Sequence, residues 1–268
     1  MVLIVGATGK IGKLLLKVFG DQAVGTTRRR NSKSLVFLDV ESKDCDQATL
    51  SSKKFDYVFY CIGELPTSKR SLNDFHAVNA EGISFVKSLL TNQTTMVYFS
   101  TVAVYGFINP LSPIDVGAPL NPMNHYALSK LGGENKVQKC FEKYVIFRLP
   151  PVYMDYSDPV LKKRVIKNKW IEVIVDNDSI THSFCSASRI LETVENLEQI
   201  ESGIYHLTDN EPLSVKEIKK INKENSYIRI PVSSRFYKKL LYDYKIASYL
   251  PSKLAQICYK LFLSNTYL

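Results

Sequence analysis

A tyrosine and a lysine four residues apart, Tyr126 and Lys130, carry the most direct chemical signal in the sequence. A spacing of four is a little over one helical turn, so it sets phenol and ammonium on one face of a helix. A neighbouring cation favours phenolate over phenol and draws the Tyr126 pKa towards the range of a working general acid or base. Upstream, the apolar run Met96–Ser100 reads as a strand and delivers Thr101 at its end. The Thr101 hydroxyl can donate to the same substrate oxygen that Tyr126 protonates or deprotonates. A lone Y-x-x-x-K says little in a chain with 16 tyrosines. Its meaning depends on what accompanies it.

The first companion is a glycine loop. The apolar run Val2–Val5 passes directly into Gly6-Ala7-Thr8-Gly9-Lys10-Ile11-Gly12, which opens a stretch of helical period ending at Phe19. In such a strand-to-helix turn the first glycine permits the tight bend and the second lets backbone approach a pyrophosphate. The third allows close packing of helix on strand, and the helix N-terminus faces the phosphates. The spacing G-x-x-G-x-x-G differs from the commoner G-x-G-x-x-G. The second strand ends Gly25-Thr26-Thr27-Arg28-Arg29-Arg30, without an acid where an NAD-selective protein grips the adenosine ribose hydroxyls. Arg28 and Arg29 suit a 2′-phosphate through forked, charge-assisted hydrogen bonds. NADPH/NADP is therefore the expected cofactor and NAD the alternative, with Asp39 as acceptor for the adenine amino group.

Elements that would position these groups are legible in the pattern. Short apolar runs at Val2–Val5, Gln22–Thr27, Leu35–Leu38, Tyr57–Cys61, Met96–Ser100 and Tyr144–Leu149 alternate with helical stretches at Lys10–Phe19, Asn73–Leu90 and Met123–Phe141. Repeated βαβ units predict an α/β fold, a Rossmann-type doubly wound parallel sheet. After Pro150 the pieces become smaller: Lys162–Lys167, Trp170–Val175, Ser186–Leu197, Gly203–Leu207, Val215–Ile221 and Tyr227–Pro231. They predict a smaller C-terminal α/β substrate lobe. A dinucleotide-binding domain over 1–153 and a lobe over 154–268 are expected to interleave, since no linker separates them. The stretch from Arg235 to Leu263 reads as a core-covering helix pair broken at Pro251, with membrane-surface binding as the alternative.

Bulk properties narrow the partners. The chain has 268 residues, 45% hydrophobic and 23% charged, which is ordinary for a globular protein. A formal net charge of +9 favours anionic partners. The basic residues are dispersed and no nucleic-acid-binding motif accompanies them, so nucleic acid is not an expected partner. Five cysteines, Cys45, Cys61, Cys140, Cys185 and Cys258, have no metal spacing and read as free thiols of a reducing cytoplasm. No signal segment or membrane span is expected, and no pair of the four histidines has metal spacing.

Taken together, the glycine loop, Asp39, Asn79-Ala80-Glu81-Gly82, Ser100-Thr101 with Val104-Tyr105-Gly106, Tyr126 with Lys130, and Arg148-Leu149-Pro150-Pro151-Val152-Tyr153 stand in a recognisable order. In that order the chain resembles extended short-chain dehydrogenases/reductases of the NAD-dependent epimerase/dehydratase family, which act on nucleotide-sugars. The likeness spans at least Met1 to Tyr153, and Gly203–Pro212 resembles the family's C-terminal lobe. It implies catalytic roles for Thr101, Tyr126 and Lys130, with Lys130 also on the nicotinamide ribose and Asn79 near the active site. The cofactor set it implies comprises Gly6, Thr8, Gly9, Lys10 and Ile11, then Asp39, Asn79, Tyr126 and Lys130, beside the Arg28 and Arg29 read from the second strand. Cys61-Ile62-Gly63 follow in the turn after the fourth strand, with Pro150 and Val152 beside the nicotinamide.

The resemblance also implies a reaction. Dehydratases of the family carry Asp-Glu after the catalytic threonine, where this chain has Val102-Ala103. Epimerases that retain NAD usually carry an acid after the second strand, where this chain has arginines. The expectation is a reductase using NADPH on a nucleotide-diphosphate sugar, at C4 of a 4-keto-6-deoxysugar. Lys162, Lys163 or Arg164 are diphosphate partners to consider. A nucleotide-sugar 4-epimerase and a non-catalytic NADP sensor are the alternatives. Relatives often form homodimers through the helices expected at Asn73–Leu90 and Met123–Phe141.

Overall fold

The computed structural model describes residues 1–63, 71–90, 93–106, 113–162, 166–167, 172–175, 181–214, 217, 220 and 228–230. Two compact units emerge. The first comprises Met1–Gly106, Pro119–Leu149 and Ile190–Leu207; the second comprises Phe107–Ala118, Pro150–Arg189 and Thr208–Leu268.

The first unit is built on seven strands that follow the apolar runs: β1 (Val2–Val5), β2 (Ala23–Thr27), β3 (Val36–Asp39), β4 (Asp44–Cys45), β5 (Tyr57–Tyr60), β6 (Thr95–Thr101) and β7 (Tyr144–Leu149). With the later strand Gly203–His206 they form an eight-stranded sheet in the order Gly203–His206, β7, β6, β5, β1, β2, β3, β4. Every pairing is parallel except β3 with β4. All four residues of β1 are buried, as expected for a central parallel strand covered on both faces. Leu3 pairs with Val24 of β2 on one side and Val58 of β5 on the other. The strand order therefore reverses at β1, and in open α/β sheets ligands bind outside the carboxyl ends of the strands at such a switch point.

One face of this sheet is a continuous apolar layer. Leu3, Val5, Val58, Tyr60, Met96, Tyr98 and Ile146 alternate along their strands and pack with Ile83, Val86 and Val137 from the helices. Full burial of such side chains stabilises by about 1.5–3 kcal/mol each. The helices are α1 (Lys10–Phe19), α2 (Gln47–Ser51), α3 (Leu72–His76), α4 (Gly82–Ser88) and α5 (His125–Cys140). α5 starts where Asn124 Oδ1 accepts from Ala127 N at 2.8 Å, an N-cap that fixes the first turn two residues before Tyr126 ends up in it.

Three features depart from the sequence expectation. The single helix expected over Asn73–Leu90 is interrupted by a π turn at Ala77–Glu81, between α3 and α4. There Gly82 N–H reaches back five residues to Ala77 O. The Val78 and Asn79 carbonyls are taken by two buried phenols, Tyr60 OH at 2.6 Å and Tyr98 OH at 2.9 Å. Apolar period alone does not register these hydroxyls, which come from β5 and β6. Secondly, Gly203–His206, expected in the C-terminal lobe, pairs in parallel with β7 and extends the main sheet, Ile204 opposite Ile146. Its position after Pro150 in the chain suggested the lobe; its place is decided by pairing with an edge that local pattern does not reveal. Thirdly, β4 and α2 were too short for their periods to stand out.

The second unit is made of short pieces. Val152–Tyr153 pairs in parallel with Cys185–Ser186, Thr181–His182 antiparallel with Leu213–Ser214, and Glu172–Val175 lies between Ile228–Ile230 and Ile166–Lys167. Asp209 ties the first of these pairs by accepting from Ser186 N at 2.9 Å, Ser186 Oγ at 2.7 Å and Tyr153 OH at 2.9 Å. The helix pair expected over 235–263, together with Lys163 and Arg164, lies outside the described residues. No helix among the described residues is long and apolar enough to cross a membrane.

Loss of a phenol donor removes a buried hydrogen bond to a carbonyl of the π turn. Tyr60→Phe and Tyr98→Phe are each expected to lower the unfolding free energy by about 0.5–1.5 kcal/mol. Unchanged urea midpoints in both variants would contradict the role of these hydroxyls in holding the π turn.

Candidate active site

The glycine loop has the geometry its residues suggest. Gly6 sits at φ +88°, a left-handed conformation that side-chain-bearing residues rarely adopt. The bend is pinned to β2 by Ala7 N donating to Thr26 O at 3.0 Å and Gly6 N donating to Thr26 Oγ1 at 3.2 Å. A Cβ on Gly12 would stand 2.3 Å from Gly6 O, so α1 meets the loop more closely than any other residue permits. Gly9 is the N-cap of α1, and no side chain caps the helix start. Backbone N–H groups at such a helix end favour an anionic group.

The loop opens onto a cavity of about 520 Å³. Nine of the residues singled out in the sequence line it: Gly6, Thr8 and Gly9 from the loop, Arg28 and Arg29 after β2, Asp39 at the end of β3, and Cys61, Ile62 and Gly63 after β5. Arg30 is committed elsewhere, ion-paired with Asp44 and stacked over the Phe37 ring at 4.1 Å. Asp39 Oδ1 accepts from Glu41 N at 3.0 Å, so this carboxylate also shapes its own turn. Lys10 and Ile11 stand in the first turn of α1 and are not among the lining residues. Pro150 and Val152 belong to the second unit, where Val152 pairs with Cys185.

Next to the cavity wall lies the second group. A Cβ on Gly63 would meet both Asn79 Oδ1 and Lys130 Nζ at 3.2 Å, so this glycine brings wall, π turn and α5 together. Lys130 is 5% exposed; its Nζ donates to Phe99 O at 2.8 Å and lies 4.7 Å over the Tyr98 ring. Burial pulls its pKa down to about 8, against the opposing pull of Cys61 and Glu134. Burial also pushes the Cys61 thiol up, against the pull of Lys130. Thr101, 8% exposed at the end of β6, accepts from Ala103 N at 3.2 Å. An oxygen that accepts there keeps its hydrogen for donation, which matches the donor role expected of it.

Residues overlooked in the sequence complete the site. Thr26 and Thr27 line the cavity beside the arginines, and Thr27 Oγ1 accepts from Arg29 N at 3.2 Å. Their place at the end of a strand that meets the loop was the available signal. Glu41 lines the cavity two residues past Asp39. Ser129 is fully buried; it receives Asn79 Nδ2 at 2.8 Å and donates to Tyr126 O at 2.8 Å, joining the π turn to the turn that carries Tyr126. Nothing in its type or spacing separated it from an ordinary helix serine.

The buried ammonium makes stability depend on pH in a defined direction. Its pKa is lowered from 10.5 to about 8 on folding, so between these values the unfolded chain binds more protons and stability rises with pH. The melting temperature of the protein without added nucleotide is expected to gain more across that window in the wild type than in Lys130→Met. Parallel curves would contradict a charged, buried Lys130.

Comparison with known proteins agrees with this geometry. Residues 2–181 match the model of the NAD dependent epimerase/dehydratase family. A dTDP-4-dehydrorhamnose reductase of Mycolicibacterium smegmatis is 26% identical over 218 residues, 76% of this chain and 63% of that protein. A candidate UDP-glucose 4-epimerase of Methanocaldococcus jannaschii is 26% identical over 200 residues, 67% of this chain and 64% of that protein. The chain thus spans just under two thirds of the length of these curated relatives. Among solved structures, the dTDP-4-dehydrorhamnose reductase of Bacillus anthracis in complex with NADP superposes with a TM-score of 0.68 at 22% identity, covering 87% of this chain and 84% of that one. At that identity the superposition speaks for the fold. The family match covers more than half of the sequence, including the glycine loop, Thr101, Tyr126 and Lys130, and the chain belongs to the NAD dependent epimerase/dehydratase family.

Proposed function

We propose that this protein is an NADPH-dependent reductase of a nucleotide-linked keto-sugar, acting at C4 of a 4-keto-6-deoxysugar. The observation that carries the cofactor choice is the cavity wall after β2, where Arg28 and Arg29 face the space and Arg30 is tied away. Two guanidinium groups suit a 2′-phosphate. The glycine loop fits the pyrophosphate, with Gly6 in its left-handed turn and the start of α1 uncapped by any side chain. When bound, NADPH supplies hydride to the carbonyl carbon of the substrate.

The remaining chemistry belongs to the chain. Tyr126 gives its phenolic proton to the carbonyl oxygen as that oxygen gains charge, so ketone becomes alcohol. Thr101 donates a hydrogen bond to the same oxygen and polarises the carbonyl. Lys130 stabilises the phenolate left behind, and Tyr126 takes a proton back from bulk solvent before the next turnover. Support for the reductase reading comes from the Mycolicibacterium smegmatis relative. Val102 and Ala103, buried and half-buried in the turn after Thr101, offer no carboxyl group for elimination of water. The Methanocaldococcus jannaschii relative favours a second reading, a nucleotide-sugar 4-epimerase. An epimerase returns its hydride and consumes no added NADPH.

With a panel of nucleotide 4-keto-6-deoxysugars and NADPH, Tyr126→Phe is expected to lower kcat by about 10²–10⁴ while the Kd for NADPH stays within about twofold. Unchanged turnover would refute the assignment of Tyr126. Arg28→Ala combined with Arg29→Ala should weaken NADPH about tenfold or more and leave NADH unaffected. Equal or tighter binding of NADH by the wild-type protein at the same salt concentration would sink the choice of cofactor.

A further inference from the structure

Glu134 lies one helical turn beyond Lys130 on α5 and is 1% exposed. Its carboxylate is gripped from the sheet side by a fork: Arg148 Nε donates to Oε1 at 3.1 Å and Nη2 to Oε2 at 2.7 Å. Ser100 Oγ adds a third bond, to Oε1 at 2.5 Å. Arg148 also donates from Nη1 to Tyr105 OH at 2.8 Å, and that hydroxyl meets His206 Nε2 at 2.6 Å. Burial acts to lower the Arg148 pKa, but its bonds to Glu134 and Tyr105 more than restore it, so the guanidinium stays charged. Neither Glu134 nor Arg148 lines the cavity. A buried ion pair adds little net stability over apolar side chains of similar volume, so stability is a weak reason for placing one here.

We propose that Glu134 is a positioning residue for Lys130 and, through it, for Tyr126: anchored by Arg148 and Ser100, it fixes α5 against the end of β6 and holds a negative charge one turn from the ammonium. Ser100 immediately precedes Thr101, so the same carboxylate also steadies the strand end that delivers the second hydroxyl. The groups around Lys130 come from four elements. Cys61 follows β5, Tyr98 and the Phe99 carbonyl belong to β6, Asn79 reaches Gly63 from the π turn, and Tyr126 and Glu134 share α5 with the lysine. His76 of α3 faces α5 further along, at Gly132. Burial raises the Cys61 thiol and the Tyr98 phenol, and Glu134, ion-paired with Arg148, is the carboxylate of this set.

The inference rests on Lys130 acting on the cofactor as in the proposed function, and NADPH binding followed by fluorescence across pH separates the two. In the wild type, affinity is expected to fall as pH rises past about 8, where Lys130 loses its proton. Lys130→Met should abolish that fall. Glu134→Gln should move it to a pH lower by about one unit. Arg148→Gln, which leaves the carboxylate without its counter-charge, should move it the opposite way, to higher pH, and serves if the Glu134 variant does not fold. A fall that is absent in the wild type, persists in Lys130→Met, or stays in place in the folded Glu134 and Arg148 variants overturns the positioning role. Failure of the wild type to bind NADPH at any pH overturns the proposed function and this inference with it.

Discussion

A bidentate ion pair between Glu134 and Arg148, sealed between α5 and the sheet, decides where the reactive groups stand. Both side chains are almost fully buried, at 1% and 4% exposure. Removing one partner of such a pair costs about 3–5 kcal/mol because the other is left as an uncompensated buried charge. A register shift of α5 by even one residue would carry the same penalty. The pair therefore acts less as a source of stability than as a restriction on geometry. Lys130, four residues before Glu134, inherits that restriction, and so does Tyr126 one turn earlier.

The same logic of satisfied buried polarity recurs around the site. Tyr60 and Tyr98 look like core residues, yet their hydroxyls donate to two carbonyls of the π turn. That turn brings Asn79 to Ser129, and Ser129 to the backbone of Tyr126. Gly63 completes the approach from the cavity side, where an added Cβ would press on the ends of the Asn79 and Lys130 side chains. The apolar layer of the sheet and the polar seam beneath α5 are thus parts of one packing arrangement. An interior of this kind resists rearrangement because each polar group lost is left without water to replace its partner.

Much of the scaffold could be read from the residues. Val2–Val5, Lys10–Phe19 and Tyr144–Leu149 form the elements their periodicity suggests, within the same bounds. The glycine loop, Arg28, Arg29 and the Cys61-Ile62-Gly63 turn converge on one cavity because each follows the carboxyl end of a strand, and parallel pairing gathers those ends. What escaped was decided at long range. Glu134 and Arg148 are 14 residues apart, and each alone reads as an ordinary charged residue of a helix and a strand. The Gly203–His206 strand finds its neighbour 58 residues earlier in β7, which no local pattern announces. The π turn depends on phenols from two other strands.

The proposed chemistry turns on whether hydride from added cofactor ends on the sugar. The most direct measurement is mass spectrometry of the product formed from NADPH deuterated at the transferable position and a nucleotide 4-keto-6-deoxysugar. A reductase with Tyr126 as proton donor yields an alcohol that carries one deuterium, on the carbon that was the ketone, with one NADPH consumed for each product formed. A keto-sugar returned unchanged without loss of NADPH, together with interconversion of the C4 epimers of the corresponding 4-hydroxy sugar free of deuterium, would contradict the reductase assignment.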